Sequence, residues 1–249
     1  MELARVLRTG ILAGAAAGLI MGLLFLALQE PLIDRAICYE QEQPPDCMPE
    51  EGEVLRVHQK IVLVAASPLF GLALGAFFAL VYASFHPYLP GKTSRQKSML
   101  LALLAFLVFP LLPALRLPPF PPGVENTMPT DLRDLWYALI MLGGVGGMGL
   151  ALVVNRLLVR RDASPRGRLG AGIVSVAVML AVAAIPILLF PGSEFTGNVL
   201  LEEPSLLPRY QAISVGSIGA FWLSLGFLFS SLWTRAELAG VREGQPEVT

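Results

Sequence analysis

Charge is what this sequence lacks most. Asp, Glu, Lys and Arg make up 15% of its 249 residues, against about 25% in an ordinary soluble domain. Hydrophobic residues reach 55% and the mean hydropathy is +0.65, a composition that excludes a soluble fold. The net charge of −1 excludes a strongly basic nucleic-acid binder, and there is no arginine-rich arm or aromatic-basic platform. Zincin, nucleophile-elbow and Walker patterns are all missing, so no enzyme is expected.

What is present is a set of long apolar runs. Residues 9–28, 61–85, 98–115, 135–155, 169–190 and 210–234 contain no Asp, Glu, Lys, Arg or His. A helix needs roughly 20 such residues to cross a hydrocarbon core of about 30 Å. Lipid offers the backbone no partners, so helices are the default, and no dyad alternation suggests barrel strands. The expected fold is an all-α polytopic membrane protein, a single integral domain over residues 1–249 with six transmembrane helices in three hairpins. The third run is the shortest and ends in Pro110 and Pro113, which predicts a broken or kinked end. Arg5 and Arg8 ahead of the first run resemble a signal-peptide start. That run is long, however, and has no small-x-small cleavage site before Gln29, so a retained span is expected.

Basic residues set orientation. With the N-terminus inside, 12 of the 18 Lys and Arg fall on the inner side. Arg35, Arg56, Lys60, Arg116, Arg133 and Arg209 are left outside. Both termini are then cytoplasmic, in a multi-pass protein of the cell (inner) membrane. The outer connections 29–60, 116–134 and 191–209 are long, acidic and proline-rich. Arg56, Arg133 and Arg209 each precede a span returning to the cytoplasm, at separations of 77 and 76 residues. Three parallel hairpin repeats would place an arginine at one depth in each. Independent snorkelling at loop ends is the simpler account.

No span holds an ionisable group, the usual mark of a proton relay at membrane depth. Polar work is therefore expected at the outer boundary or with a partner. Gly10, Gly14, Gly18 and Gly22 recur every four residues, and Gly71 with Gly75 and Gly143 with Gly147 repeat the spacing. Such faces pack helices in lipid, and they leave a homo-oligomer open. Gly144, Gly146 and Gly149 match the dinucleotide fingerprint in form only, since no strand precedes them.

The first outer connection begins Gln29-Glu30-Pro31-Leu32-Ile33-Asp34-Arg35. If it is helical, Glu30, Asp34 and Cys38 share a face. Glu30, Asp34 and His58 are candidate ligands for a divalent cation; a solvated acidic loop neutralised by Arg35 and Arg56 is the competing account. Cys38 and Cys47 are the only cysteines. They are expected outside, where disulfides persist, and a bridge would close a short loop for roughly 2–3 kcal/mol. Thiolate ligation competes, but the spacing matches no standard zinc pattern.

Glu30-Pro31-Leu32-Ile33-Asp34 with Glu40, then Arg56 and Gln59 before a glycine-containing span, resemble the CbtA family of predicted cobalt transporter subunits. Leu117-Pro118-Pro119-Phe120-Pro121-Pro122-Gly123-Val124, with Arg133 and Tyr137, looks like that family's second signature. Pro208-Arg209-Tyr210 with Ser214 and Trp222 is similar to its last, where Phe-Arg is the more usual pair. The resemblance implies a membrane protein supplying cobalt for cobalamin synthesis beside a small one-span partner, CbtB, with a histidine-containing motif. It carries Glu30, Asp34 and Arg56 over as matching polar positions, with cobalt as cargo and no permanently bound cofactor. The alternative of a different class is a non-transporting scaffold, assembling with other membrane proteins through its glycine faces.

Overall fold

The structure is a computed structural model, and it describes residues 3–40, 54–162, 164–192 and 194–243. Among them, six helices are long and apolar enough to cross a membrane: Leu3–Glu40, Arg56–Phe85, Ser94–Ala114, Thr130–Arg161, Pro165–Leu189 and Leu206–Arg235. They fall on the six uncharged runs. Each is longer than its run, because turns bearing charged residues continue the helix beyond the apolar stretch.

The first is α1 (Leu3–Leu24), a π turn (Phe25–Gln29) and α2 (Glu30–Glu40) in one continuous helix. Then come α3 (Val54–Phe85), α4 (Ser94–Phe106), a second π turn (Leu107–Leu111) and the short α5 (Leu112–Ala114). The two-residue strand β1 (Glu125–Asn126) precedes α6 (Thr130–Arg161) and α7 (Pro165–Leu189). The chain closes with β2 (Phe195–Thr196), α8 (Asn198–Glu202) and α9 (Leu206–Glu243). At Pro110 and Pro113, where a broken or kinked end is expected from sequence, the third helix does not break. Its backbone widens into the π turn and carries on through both prolines. A π turn bonds each N–H five residues back and so absorbs an extra residue where proline lacks a donor.

Contacts divide the chain into two units. The first comprises Met1–Glu30, Gly52–Leu103 and Gly216–Thr249; the second comprises Pro31–Glu51 and Leu104–Val215.

In the first unit α1 and α3 meet backbone to backbone. A methyl group on Gly10 would land on the Gly75 carbonyl, one on Gly14 on that of Gly71, and one on Gly18 on that of Ser67. Partner numbers fall by four as α1 numbers rise by four, so the helices run antiparallel. Apolar burial gives helices in lipid little reason to associate, whereas close backbones gain dispersion and Cα–H···O contacts. Gly22 completes the stripe against the Ser67 side chain. Farther along, Phe229 of α9 packs edge-on to Phe78 and Tyr82 of α3, with ring centroids 5.3 and 4.9 Å apart. Buried Ser98 of α4 donates to the Gly226 carbonyl at 3.0 Å.

In the second unit α6 and α7 pair in the same manner. Gly143 faces Pro186, and Gly147 faces the Met179 carbonyl. The glycine stripes are thus used inside the chain. The connections before α6 and after α7 join as a two-stranded antiparallel ladder, Glu125 opposite Thr196 and Asn126 opposite Phe195. Two residues are too few for any alternation to betray them in sequence. Beneath the ladder, Ala36, Val124, Val199 and Leu206 form a buried cluster flanked by Phe120 and Phe195. Gly123 (φ +72°) and Gly197 (φ +129°) let the two connections touch, since a side chain on Gly197 would strike the Gly123 carbonyl.

Candidate functional site

Glu30 opens α2 directly after the first π turn, and its side chain is 9% exposed. Arg56, in the first turn of α3, is 14% exposed and reaches it with Nη2 at 2.5 Å from Oε2. The other arm of the guanidinium donates from Nη1 to Gln59 Oε1 at 2.8 Å. Both charges have left water, so each depends on the other; a lone buried carboxylate or guanidinium would be strongly disfavoured.

Asp34 lies one helical turn beyond Glu30 and is half-buried; His58 and Gln59 are exposed on α3. Glu30 and His58 belong to the first unit, Asp34 to the second. Among the described residues, no group of three or more His, Cys, Asp or Glu side chains is placed to hold a metal ion. Arg56 meets Glu30, and Gln59 meets Arg56. Cys38 is buried and disulfide-bonded, while Cys47, the other cysteine, lies outside the described residues.

The three arginines spaced along the sequence each fall in the first turn of a returning helix: Arg56 in α3, Arg133 in α6 and Arg209 in α9. A cation there opposes the helix dipole, so each needs an anchor. Arg56 has Glu30. Arg133 sits 5.4 Å from the centroid of Phe120. Arg209 Nη1 lies 3.8 Å from Glu203 Oε1.

Glu203 was not singled out from sequence. Within the second unit it also meets Arg35 Nη1 at 3.6 Å and accepts from the Tyr39 hydroxyl at 3.4 Å. It thus ties the start of α9 to α2. Tyr39 and Glu203 are 164 residues apart, and no local pattern marks an acid for such a role.

The polar side chain beside Glu30 is also informative. Gln29 Oε1 is buried and has no hydrogen-bond partner among the described residues. Such atoms are rare, because an amide oxygen gives up its water only at a cost. This one lies inside a π turn, a feature common at functional sites.

A family model described as "Probable cobalt transporter subunit (CbtA)" matches residues 3–234. Neither a curated protein nor a solved structure matches the chain.

Proposed function

Because the chain belongs to the CbtA family of probable cobalt transporter subunits, we propose that it is the membrane subunit of a cobalt uptake system serving cobalamin synthesis. Its termini lie in the cytoplasm, and a small histidine-containing one-span protein of the CbtB kind works beside it. The family is one of transporter subunits, not of enzymes, in keeping with a chain that carries no catalytic motif.

The observation that carries this reading is the Glu30–Arg56 pair, largely withdrawn from water where the apolar stretches of α1 and α3 end. A dication must shed water at oxygen or nitrogen ligands before it enters a hydrocarbon core. This chain offers a carboxylate for that step at the outer end of its first span. Glu30 is the first ligand in this reading, and the partner's histidines receive the ion. The glycine faces on which the scaffold alternative rested pack within the chain, which supports the transport reading over it.

The test measures cellular cobalt and nickel in cells expressing this chain alone, the one-span partner alone, and both. Accumulation that requires both proteins is expected. Equal metal content in all strains, with both proteins present in the membrane, would overturn the reading.

A further inference from the structure

The chain builds one backbone device twice. In the first π turn, Phe25–Gln29, the Glu30 N–H bonds the Phe25 carbonyl and Pro31 follows. In the second, Leu107–Leu111, the Leu112 N–H bonds the Leu107 carbonyl and Pro113 follows. The hydrogen-bond accounting is the same in both. The carbonyl of Leu26 would take the N–H of residue 30 or 31, but the first is spent on Phe25 and the second does not exist. Val108 stands in the same position in the second turn. Each turn therefore leaves a carbonyl without a donor in its own helix.

The side chains differ. From Leu107 to Pro113 every one is apolar, and the Tyr137 hydroxyl donates to the Phe109 carbonyl at 3.3 Å. Where that turn has Leu111-Leu112-Pro113, the first has Gln29-Glu30-Pro31. Leucines suffice to build the turn, so its backbone does not require Gln29 or Glu30. Both are costly: Glu30 is a buried acid needing a largely covered arginine, and the Gln29 oxygen is buried without a hydrogen-bond partner among the described residues.

Resting on the transport reading above, we infer that the first π turn is a divalent-cation site, with Gln29 Oε1, the Glu30 carboxylate and the freed Leu26 carbonyl as its oxygen ligands. Helical side chains lean toward the preceding turn, which sets Glu30 over the residue whose carbonyl is free. Arg56 is the resident counter-ion. While it holds Glu30 the site is neutral and closed to a dication; when a cation takes the carboxylate, Gln59 keeps hold of the other arm of the guanidinium. Oxygen ligands bind cobalt more weakly than imidazole or thiolate, which suits an ion in transit to nitrogen ligands elsewhere.

The experiment titrates the purified full chain in detergent with Co2+, using wild type, Gln29→Leu and Arg56→Gln. Gln29→Leu copies the residue of the second turn, so the fold tolerates it by precedent. Its Co2+ affinity should fall at least tenfold while its Tm holds or rises. Arg56→Gln removes the competitor and should raise affinity several-fold. A purely structural ion pair predicts no gain, and Co2+ affinities within twofold across all three proteins would overturn the site. Cobalt accumulation in cells separates the two failures. Uptake by wild type that persists in Gln29→Leu at equal abundance removes this site alone. No uptake by wild type with its partner removes the transport reading itself.

Discussion

Two buried or half-buried carboxylates hold arginines at helix starts, yet they differ in worth. Glu30 and Arg56 have side chains 9% and 14% exposed, so replacing the acid strands a charge out of water. Glu30→Gln should cost about 3–5 kcal/mol, read as a large fall in Tm in detergent that 1 M salt does not erase. Glu203 faces guanidiniums that are 58% and 61% exposed, at 3.6 and 3.8 Å. Each such pair contributes about 0.2–1 kcal/mol. Glu203→Gln should therefore lower the Tm slightly, and high salt should remove the difference. Equal losses for the two variants would show that the burial contrast does not govern them. Glu30 and Arg56 were legible in the sequence because each stands within a few residues of an uncharged run, where an ionisable group is conspicuous. Gln29 was passed over, since an amide at the end of a span looks ordinary until its oxygen is seen to be buried.

At the level of elements, the chain contains glycines of two kinds. On Gly14 and Gly71 even a methyl group would overlap the facing carbonyl, whereas Gly146 and Gly149 of α6 have nothing within 4 Å. Gly14→Ala and Gly71→Ala should push α1 and α3 apart, seen as faster proteolysis and a lower Tm. Gly146→Ala and Gly149→Ala should stabilise α6 by about 0.5–1 kcal/mol each, the usual gain for this exchange inside a helix. A destabilising Gly149→Ala would reveal a neighbour that this chain alone does not provide. The four-residue spacing marked the packed face of α1 in advance, but spacing does not name the helix it meets. The prolines at 110 and 113 were equally visible, and yet their outcome was not. Sequence fixes the missing donor, while the choice between a break and a widened turn depends on what the neighbouring helix can satisfy, as Tyr137 does for Phe109.

For the molecule as a whole, the six spans were plain from the sequence, because hydrocarbon thickness demands a length that composition displays. The ladder of β1 and β2 and the cluster around Ala36 were hidden, being made of short segments brought together across the chain. The excess of basic residues on the expected inner side gives an orientation that labelling can check. After mild reduction of intact cells, a membrane-impermeant thiol reagent should reach Cys38 or Cys47 from outside. Labelling only after permeabilisation would reverse the orientation. Mass mapping without reductant should find the two cysteines joined, and a free thiol at Cys47 would exclude that bridge.

The glycine contact between α1 and α3 also has a mechanical meaning. Two backbones seated carbonyl against Cα have no side-chain cushion to shear, so the pair resists flexure as a laminated beam does. Compliance has to lie where the hydrogen-bond ladder is irregular, and along the first helix that place is the stretch from Phe25 to Pro31. A bend of this strut at its irregular turn would reshape the proposed ligand set of Leu26, Gln29 and Glu30 before it disturbed the glycine contact.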